Sequence, residues 1–305
     1  MPNQYTLNES IKIKGMDFPS GNVSNVLVDP GKPDTGIVFE TPKGEEIEAT
    51  IENTSSSLFW FAKTFILKGN KEYIACPEHF LAQLKTFVDN ARVRIQKKPS
   101  FSSNILKHLP IGSGRNTQFV PYLGQKLCEV LEGNIKQQDK PQKIIRLEEK
   151  IETDKLKIYP IDSNDIIIKA ITKYNLKDGY IKQEKELKIT PESIRNISTA
   201  RGYCAVPAWS PQVLTKTLAS FFFITHGFGN GNDVSNIFYY QKTKDKWLAH
   251  QLMENEIACH TIMDRLAELY LFPGKPQGIS LECKFAGHKE GIETLKENKL
   301  KFKFK

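Results

Sequence analysis

The sequence contains no run of about 18 consecutive apolar residues, the length that a helix needs to cross a bilayer. Its first ten residues, MPNQYTLNES, show no basic segment followed by an apolar one, so we expect no signal peptide. Cysteine is sparse: the chain of 305 residues contains five scattered cysteines, and no two of them form a Cys-x-x-Cys pair. This usage excludes a disulfide-rich secreted scaffold and favours reduced thiols in a cytoplasmic protein.

Charge is moderate and is not gathered into blocks. Lys and Arg number 43 against 35 Asp and Glu, a formal charge of +8 that favours an anionic partner such as a nucleotide or an acidic membrane surface. No basic helix or aromatic-basic RNA motif is present, so we expect no nucleic-acid partner. Hydrophobic residues make up 39% of the chain, which is enough for the core of an ordinary globular protein.

Strand patterns followed by a helix pattern occur twice. In the first half, runs such as TGIVFET precede PEHFLAQLKTFVDN, where Pro77 suits a helix start. In the second half, strand patterns precede a helix start at Thr190, whose side chain can accept from amides one turn on, and then the amphipathic ENEIACHTIMDRLAEL.

The polar segment 133–147 lies between these halves, and we interpret it as a linker. We therefore predict an α+β fold of two related domains, residues 1–137 and 138–305, although no strict sequence repeat is visible. Each domain is expected to be a small sheet with helices, and the helices are expected to be sandwiched between the two sheets (a β-α-α-β sandwich).

The helix pattern at 254–269 carries two side chains that can bind metal. His260 and Asp264 are four residues apart, so they lie on one face and can reach the same ion. The alternative interpretation is a buried histidine–aspartate hydrogen bond. A zinc site needs a third ligand, and no His-Glu-x-x-His motif supplies one. His79, beside Glu78 in CPEHF, is a candidate on residue type alone.

Several motifs occur in order along the chain: CPEHFLAQL followed by VDN, then HTIMDRLAEL, then FAGH about two dozen residues further on. The segments YTLNESIKIKGMDFPSGNVSNVLVDPGKPDTGIVFE and PESIRNISTARGY flank and separate them. Over essentially the whole chain this arrangement resembles the UDP-3-O-acyl-N-acetylglucosamine deacetylases (LpxC), the zinc deacetylase family of lipid A biosynthesis. The Glu-His pair, the His-x3-Asp helix and the late Gly-His are specific together, whereas each alone is weak.

The resemblance implies a role for each residue of these motifs. His79, His260 and Asp264 would hold one Zn²⁺ with an open position for water, and the same donors also suit Fe²⁺. Glu78 would be the general base, and a protonated His288 would stabilise the oxyanion and help the amine to leave. The expected reaction is hydrolysis of the N-acetyl group of an acylated UDP-amino-sugar.

The resemblance also implies supporting residues. Glu268 lies two helical turns from His260, where the family has an aspartate that orients the histidine, and Tyr203 replaces an aromatic that stacks near the nucleotide. We expect a monomer. The C-terminal KENKLKFKFK alternates Lys and Phe, which predicts either an edge strand or a peripheral contact with an anionic membrane surface.

Four positions depart from the family pattern. Thr261 replaces a lysine that meets the sugar-nucleotide, and Gly202 replaces a threonine that hydrogen-bonds the tetrahedral intermediate. Pro19 replaces a histidine in an early turn, and Ser113 stands where a later turn has an aspartate. Loss of one oxyanion donor can cost about 100-fold in rate, so these departures bear on the substrate.

Three hypotheses follow from these departures. The chain is a divergent lipid A deacetylase, with Lys275 or Lys289 replacing the missing lysine; or it is a paralogue that deacetylates another N-acylated anionic substrate; or it is a catalytically silent zinc-binding relative. Retention of Glu78 and His288 argues against the third hypothesis, because neither residue is needed merely to hold the metal.

Overall fold

The protein combines several sheets with helices that lie between the two largest. The computed structural model describes residues 2–16, 23–56, 65–75, 77–96, 114–115, 121–176, 179–206, 237–241, 246–247 and 250–304. The helices are α1 (Glu78–Phe87), α2 (Pro121–Glu132), α3 (Pro191–Ile197), α4 (Glu256–Leu269) and α5 (His288–Glu297). Within the described ranges, no helix is long and apolar enough to cross a membrane.

The strands are short in the first half and longer in the second. Those of the first half are β1 (Asn3–Leu7), β2 (Ile11–Met16), β3 (Val23–Pro30), β4 (Ile37–Glu40), β5 (Glu46–Glu48), β6 (Thr54–Ser55), β7 (Ile66–Lys68), β8 (Tyr73–Ala75), β9 (Ala91–Gln96), β10 (Gly114–Arg115) and β11 (Ile135–Pro141). Those of the second half are β12 (Ile144–Leu147), β13 (Ile151–Glu152), β14 (Leu156–Pro160), β15 (Ile166–Leu176), β16 (Gly179–Lys188), β17 (Gly202–Val206), β18 (Ile237–Gln241), β19 (Lys246–Trp247), β20 (Lys275–Pro276), β21 (Ile279–Lys284) and β22 (Phe302–Phe304).

Two five-stranded sheets, one from each half of the chain, share one topology. Their strand orders are β2-β3-β9-β4-β5 and β13-β14-β21-β15-β16. In each sheet the strand that comes last in the chain lies between two hairpins, antiparallel to one neighbour and parallel to the other. In each half, a long helix (α1 or α4) precedes that strand. The halves therefore fold as related α+β units, as the repeated pattern predicted.

The helices α1 and α4 form the middle layers of this sandwich. Phe80 of α1 packs edge-on against Phe39 of β4, with ring centroids 6.3 Å apart, and α4 packs on β15 and β16 of the other sheet. The two helices also pack against each other. Every residue of α1 is buried, including its polar ones. For example, Lys85 donates to the carbonyls of Tyr270 and Phe272, at 2.6 and 2.9 Å, which satisfies its buried ammonium group. The predicted β-α-α-β arrangement is confirmed.

Both predicted helix starts are confirmed. Pro77 occupies the N-cap position of α1, where a residue without a backbone N–H loses no helical hydrogen bond. Thr190 caps α3, because its hydroxyl accepts from the Ser193 amide at 3.0 Å while the Ser193 hydroxyl accepts from the Thr190 amide at 2.9 Å. Local sequence is sufficient to fix both positions.

The segment 133–147, interpreted as a linker, contains two strands. β11 pairs antiparallel with β1, and β12 pairs with β20 and β22. Nearly all β11 side chains are exposed, so backbone pairing with β1, not burial of side chains, keeps this segment extended. The polar composition of this segment therefore gave no indication of the strand β11. The boundary between residues 137 and 138 falls inside β11 and stays a prediction.

A buried ion pair fixes the start of α4. The Arg201 guanidinium donates to both carboxylate oxygens of Glu256, at 2.7 and 3.0 Å, and also to the carbonyl of His250, at 2.6 Å. The Glu256 carboxylate further accepts from the backbone amides of Arg201 and Leu252. Because Arg201 directly precedes Gly202 and Glu256 lies one turn before His260, this pair sets the distance between β17 and α4.

We predict that Glu256→Ala lowers the free energy of unfolding by about 3–5 kcal/mol, because it leaves the Arg201 guanidinium buried without a counter-charge. Urea denaturation measures the change. The matched control is Glu40→Ala, which removes a carboxylate from the half-exposed Arg92 and should cost under about 1 kcal/mol. Equal losses in the two variants would contradict the structural role of the buried pair.

Candidate metal centre

Helices α1 and α4 bring three metal-capable side chains together where they pack. His79 lies in the first turn of α1, and His260 and Asp264 lie one turn apart on α4. The Nε2 atom of His79 is 3.3 Å from Oδ1 of Asp264, and Nε2 of His260 is 3.6 Å from Oδ2 of the same carboxylate. The two imidazole centroids are 4.3 Å apart. We call these three residues the ligand triad.

The ligand triad fits a divalent metal ion. Its three donor atoms all lie within 4.8 Å of one another. Nε2 of His79 and Oδ1 of Asp264 are buried, yet neither has a hydrogen-bond partner among the described residues. Buried polar atoms normally have partners, so two such atoms that converge without one point to an ion between them. Two histidines and one carboxylate are donors that zinc accepts, and ferrous iron also takes this set.

The pKa values of His260 and Asp264 are shifted in the directions that favour metal binding. Burial lowers the pKa of His260 to about 4, and this effect outweighs the opposing charge of Asp264. The ring is therefore neutral at physiological pH, the form in which histidine binds metal. Burial alone would raise the pKa of Asp264, but His260, His288 and His79 together hold it below its usual range. The carboxylate therefore stays ionised.

Glu78 and His288 lie beside the ligand triad, and the pKa values of both are raised. Burial raises the pKa of Glu78 to about 6, with His288 opposing this shift and Asp264 adding to it. Burial opposes the charged form of His288, but the negative charges of Asp264 and Glu268 raise its pKa to about 9. At neutral pH the pair thus consists of a carboxylate that can accept a proton and an imidazolium that can donate one.

The first residue of α5, His288, is held from three sides. Its Nε2 lies 3.8 Å from Oδ2 of Asp264, and its Nδ1 lies 3.2 Å from Oε1 of Glu268. The fully buried Phe65 meets its ring edge-on at a centroid distance of 5.9 Å. The resemblance placed Glu268 as a residue that orients His260. In the structure its carboxylate instead contacts His288, which α5 brings over the end of α4.

One charged residue near the site gave no signal in the sequence analysis. Arg265 follows Asp264 on α4 and is buried, with Nη2 2.8 Å from Oε1 of Glu268. The sequence shows only an arginine in a largely apolar helical stretch, three residues before Glu268 on the same helix, because its other partner, the Gly287 carbonyl, lies on a distant segment. The second group that could hold a metal, Glu78, Asp264 and His288, shares Asp264 with the ligand triad.

Of the four positions that depart from the family pattern, Thr261 and Gly202 lie in the described part of the chain, whereas Pro19 and Ser113 lie outside it. The Thr261 hydroxyl donates to the Ile257 carbonyl of its own helix, at 3.0 Å, so it brings no charged group to the ligand triad. Tyr203 lies in β17, but its side chain is outside the described part of the chain.

The two lysines considered as replacements lie away from the ligand triad or face outward. Lys275 follows Phe272, whose carbonyl accepts from Lys85 in the last turn of α1, so it lies at the opposite end of α1 from His79. Lys289 is half-exposed and pairs with Glu293 on α5, at 3.8 Å. Of the two, only Lys289 is adjacent to a residue of the site.

The backbone of Gly202 approaches the His260 ring closely. A Cβ atom at this position would lie 3.1 Å from Cε1 and 3.2 Å from Nε2 of His260. Any larger residue there would have to displace the ring, by a few tenths of an ångström, from the position where it meets Asp264. The absence of a side chain at Gly202 thus permits the present geometry of the ligand triad.

We predict that Gly202→Ala weakens metal binding by about tenfold, since small displacements of a ligand change affinity on that scale. Competition with a chromophoric chelator measures the affinity. The control is Gly133→Ala, where the added Cβ would meet its nearest neighbour at an ordinary 3.7 Å. An unchanged affinity in Gly202→Ala would show that the His260 ring tolerates the added methyl group.

Comparison with known proteins gives a consistent result. The family model described as UDP-3-O-acyl N-acetylglycosamine deacetylase (LpxC) matches residues 4–298. A protein of Lawsonia intracellularis, named UDP-3-O-acyl-N-acetylglucosamine deacetylase, is 28% identical over 204 residues, which are 66% of this chain and 61% of that protein. A protein of the same name from Hahella chejuensis is 25% identical over 300 residues, which are 95% of this chain and 87% of that protein.

Proposed function

The chain belongs to the UDP-3-O-acyl N-acetylglycosamine deacetylase family, a family of amide hydrolases, and from this premise we propose that it removes the N-acetyl group of UDP-3-O-acyl-N-acetylglucosamine. The observation that carries the proposal is the convergence of Glu78 and His288 on the ligand triad. The reaction consumes one water and yields the free amine and acetate.

The ligand triad would hold the metal ion, which we propose to be zinc, with ferrous iron suited to the same donors. When bound, such an ion lowers the pKa of a water molecule towards about 7 and polarises the amide carbonyl. Asp264 contributes the negative charge, while the rings of His79 and His260 provide nitrogen lone pairs. The buried position of these residues limits competing water.

Glu78 and His288 move the protons of the hydrolysis. Glu78 takes one proton from the attacking water as its oxygen bonds to the carbonyl carbon. The imidazolium of His288 stabilises the negative charge that develops on the carbonyl oxygen. It then gives its proton to the nitrogen as the carbon–nitrogen bond breaks, so that the amine leaves neutral. The acetic acid formed ionises, and the proton held by Glu78 returns to solvent or to the imidazole.

A second candidate function is deacetylation of another N-acylated anionic substrate by the same centre. Thr261 offers no cation, and Gly202 offers no hydroxyl group, so one contact to the sugar-nucleotide and one to the tetrahedral intermediate, both implied by the resemblance, are missing. A catalytically silent metal-binding protein is disfavoured, since His288 is held in place by Glu268 although the ligand triad does not need it.

We predict that the metal-loaded protein releases acetate from UDP-3-O-acyl-N-acetylglucosamine. Glu78→Gln and His288→Gln should each lower kcat by about 10²–10⁴, while the protein still binds its metal, because each variant loses one proton-transfer group. His260→Ala should lose both metal and activity. His250→Gln is the control, because that residue is exposed and outside the site.

The outcomes of this assay separate the hypotheses. Turnover that disappears in all three site variants supports the lipid A substrate. No turnover of this substrate, together with metal-dependent acetate release from other N-acetylated sugar phosphates, would support the paralogue. A metal-loaded protein that deacetylates neither class would contradict the enzymatic proposal.

We further propose that the C-terminal segment makes a peripheral contact with an anionic membrane surface. Leu300 and Phe304 are 77% and 57% exposed. The same segment carries five lysines: Lys296, Lys299, Lys301, Lys303 and Lys305. Two of these face Glu52 and Glu149, at 3.4 and 3.9 Å, which reduces but does not cancel the positive charge. Exposed apolar groups among cations are the composition that favours an anionic interface. β22 also forms the sheet edge predicted for this segment.

We predict that the protein sediments with vesicles containing phosphatidylglycerol but not with neutral phosphatidylcholine vesicles, since both charge and apolar contact contribute. The double variant Leu300→Ser/Phe304→Ser should bind several-fold less. Leu252→Ser is the matched control, because that residue is 54% exposed but lies near the start of α4. Equal binding by both variants would refute the membrane contact.

A further inference from the structure

The Arg265 side chain is buried in the middle of the site, although the reaction proposed above assigns it no role. It is 1% exposed. Along α4 it directly follows the ligand Asp264 and precedes Glu268 by three residues. Its Nη2 donates to Oε1 of Glu268 at 2.8 Å, and its Nη1 donates to the Gly287 carbonyl at 3.2 Å. A buried guanidinium is costly unless paired, so these contacts keep it in one orientation.

Both contacts of Arg265 end beside His288. Oε1 of Glu268, which accepts from Arg265, is also the atom 3.2 Å from Nδ1 of His288. Gly287 directly precedes His288 and is the N-cap of α5. The guanidinium therefore connects to the imidazole by two routes, one through the Glu268 carboxylate and one through the backbone.

The contact with Glu268 also determines which atom of His288 faces the site. Nδ1 of His288 lies 3.2 Å from Oε1 of Glu268, the atom that Arg265 holds at 2.8 Å. Nε2 of the same ring is thereby directed at Asp264, at 3.8 Å, where a reacting group is expected. Without the guanidinium, Oε1 of Glu268 would lose the contact that fixes its position.

The packing of α5 is adapted to this pair. A Cβ atom on Gly291 would lie 2.0 Å from both Nη1 of Arg265 and Oε2 of Glu268. The backbone of α5 therefore lies directly on the guanidinium and the carboxylate. Gly291 lies one turn after His288. Because its backbone approaches so closely, it restricts the positions that the side chains of Arg265 and Glu268 can occupy.

We propose that Arg265 is a positioning residue for the reaction, which holds the Glu268 carboxylate and the Gly287 carbonyl and, through both, the ring of His288. The kinetic part of this proposal rests on the proposed deacetylation, whereas the placement of the His288 ring does not. A merely structural Arg265 would stabilise the fold without affecting His288 in the folded protein.

The experiment compares Arg265→Met and Arg265→Lys with the metal-loaded wild type. Methionine keeps the volume but removes the charge, and we expect kcat to fall about 10–100-fold with KM and metal content nearly unchanged, because proton transfer depends on the ring position. Lysine restores the charge but cannot bridge Glu268 and Gly287 with a planar fork, so we expect kcat between those of the other two.

A second measurement does not depend on activity. In protein labelled with ¹³C at histidine Cε1, the His288 signal is assigned by its loss in His288→Gln. We expect it to shift and broaden in Arg265→Met. The matched control is Lys85→Met, which removes another buried cation, one that bonds to two carbonyls at the far end of α1. That variant should lose stability but leave the His288 signal and kcat unchanged.

Gly291→Ala keeps the test decisive if Arg265→Met does not fold. The added methyl group presses on the guanidinium and the carboxylate without removing a charge, and it should move the His288 signal in the same way. An unchanged His288 signal in the folded variants overturns the proposal, as does a kcat within about twofold of wild type. If the wild type itself releases no acetate, the deacetylase assignment fails, and the His288 signal alone decides the role of Arg265.

Discussion

The carboxylate of Asp264 is the group on which the rest of the site depends. It is buried between two layers of the sandwich, and it lies 3.3–3.8 Å from the imidazoles of His79, His260 and His288. An isolated buried carboxylate would be strongly destabilising, so its charge needs the imidazolium of His288 and the polar atoms of the two ligand histidines around it. Each ring comes from a different helix, α1, α4 or α5. The need to surround the buried Asp264 carboxylate with these rings therefore constrains how the three helices pack together.

The shared topology of the two halves explains why such a site lies at their junction. Each five-stranded sheet presents one long helix to the other half, and α1 and α4 are buried because both sheets cover them. Most polar groups on these helices are buried, and buried polar groups must be satisfied by one another or by an ion. At the end of α1 near Tyr270 they do so by themselves, as Lys85 shows. At the other end, the unsatisfied atoms of His79 and Asp264 leave room for a metal.

The features that could be predicted from the sequence are those that depend on neighbours along the chain. The cap at Thr190 and the shared face of His260 and Asp264 follow from helical spacing alone. The strand β11 could not be predicted, because its side chains are exposed and only β1, some 130 residues earlier, identifies it. The contact between Glu268 and His288 was missed for the same reason, since α5 must fold back over α4 before the two side chains meet. The resemblance to the family indicated Glu268 as a supporting residue but did not indicate His288 as its partner.

Arg265 and Glu268 are best understood together. Glu268 has one more methylene group than the aspartate that the family has at this position. A longer side chain would by itself orient a histidine less rigidly. Here the additional freedom is removed, because Arg265 binds the carboxylate and the backbone of α5 at Gly291 closes over both. Glu78, His288 and the ligand triad match the motifs of the family, while Glu268, which differs from the family aspartate, is held by Arg265. Thr261 and Gly202, which also depart from the family pattern, have no comparable compensation among the described residues.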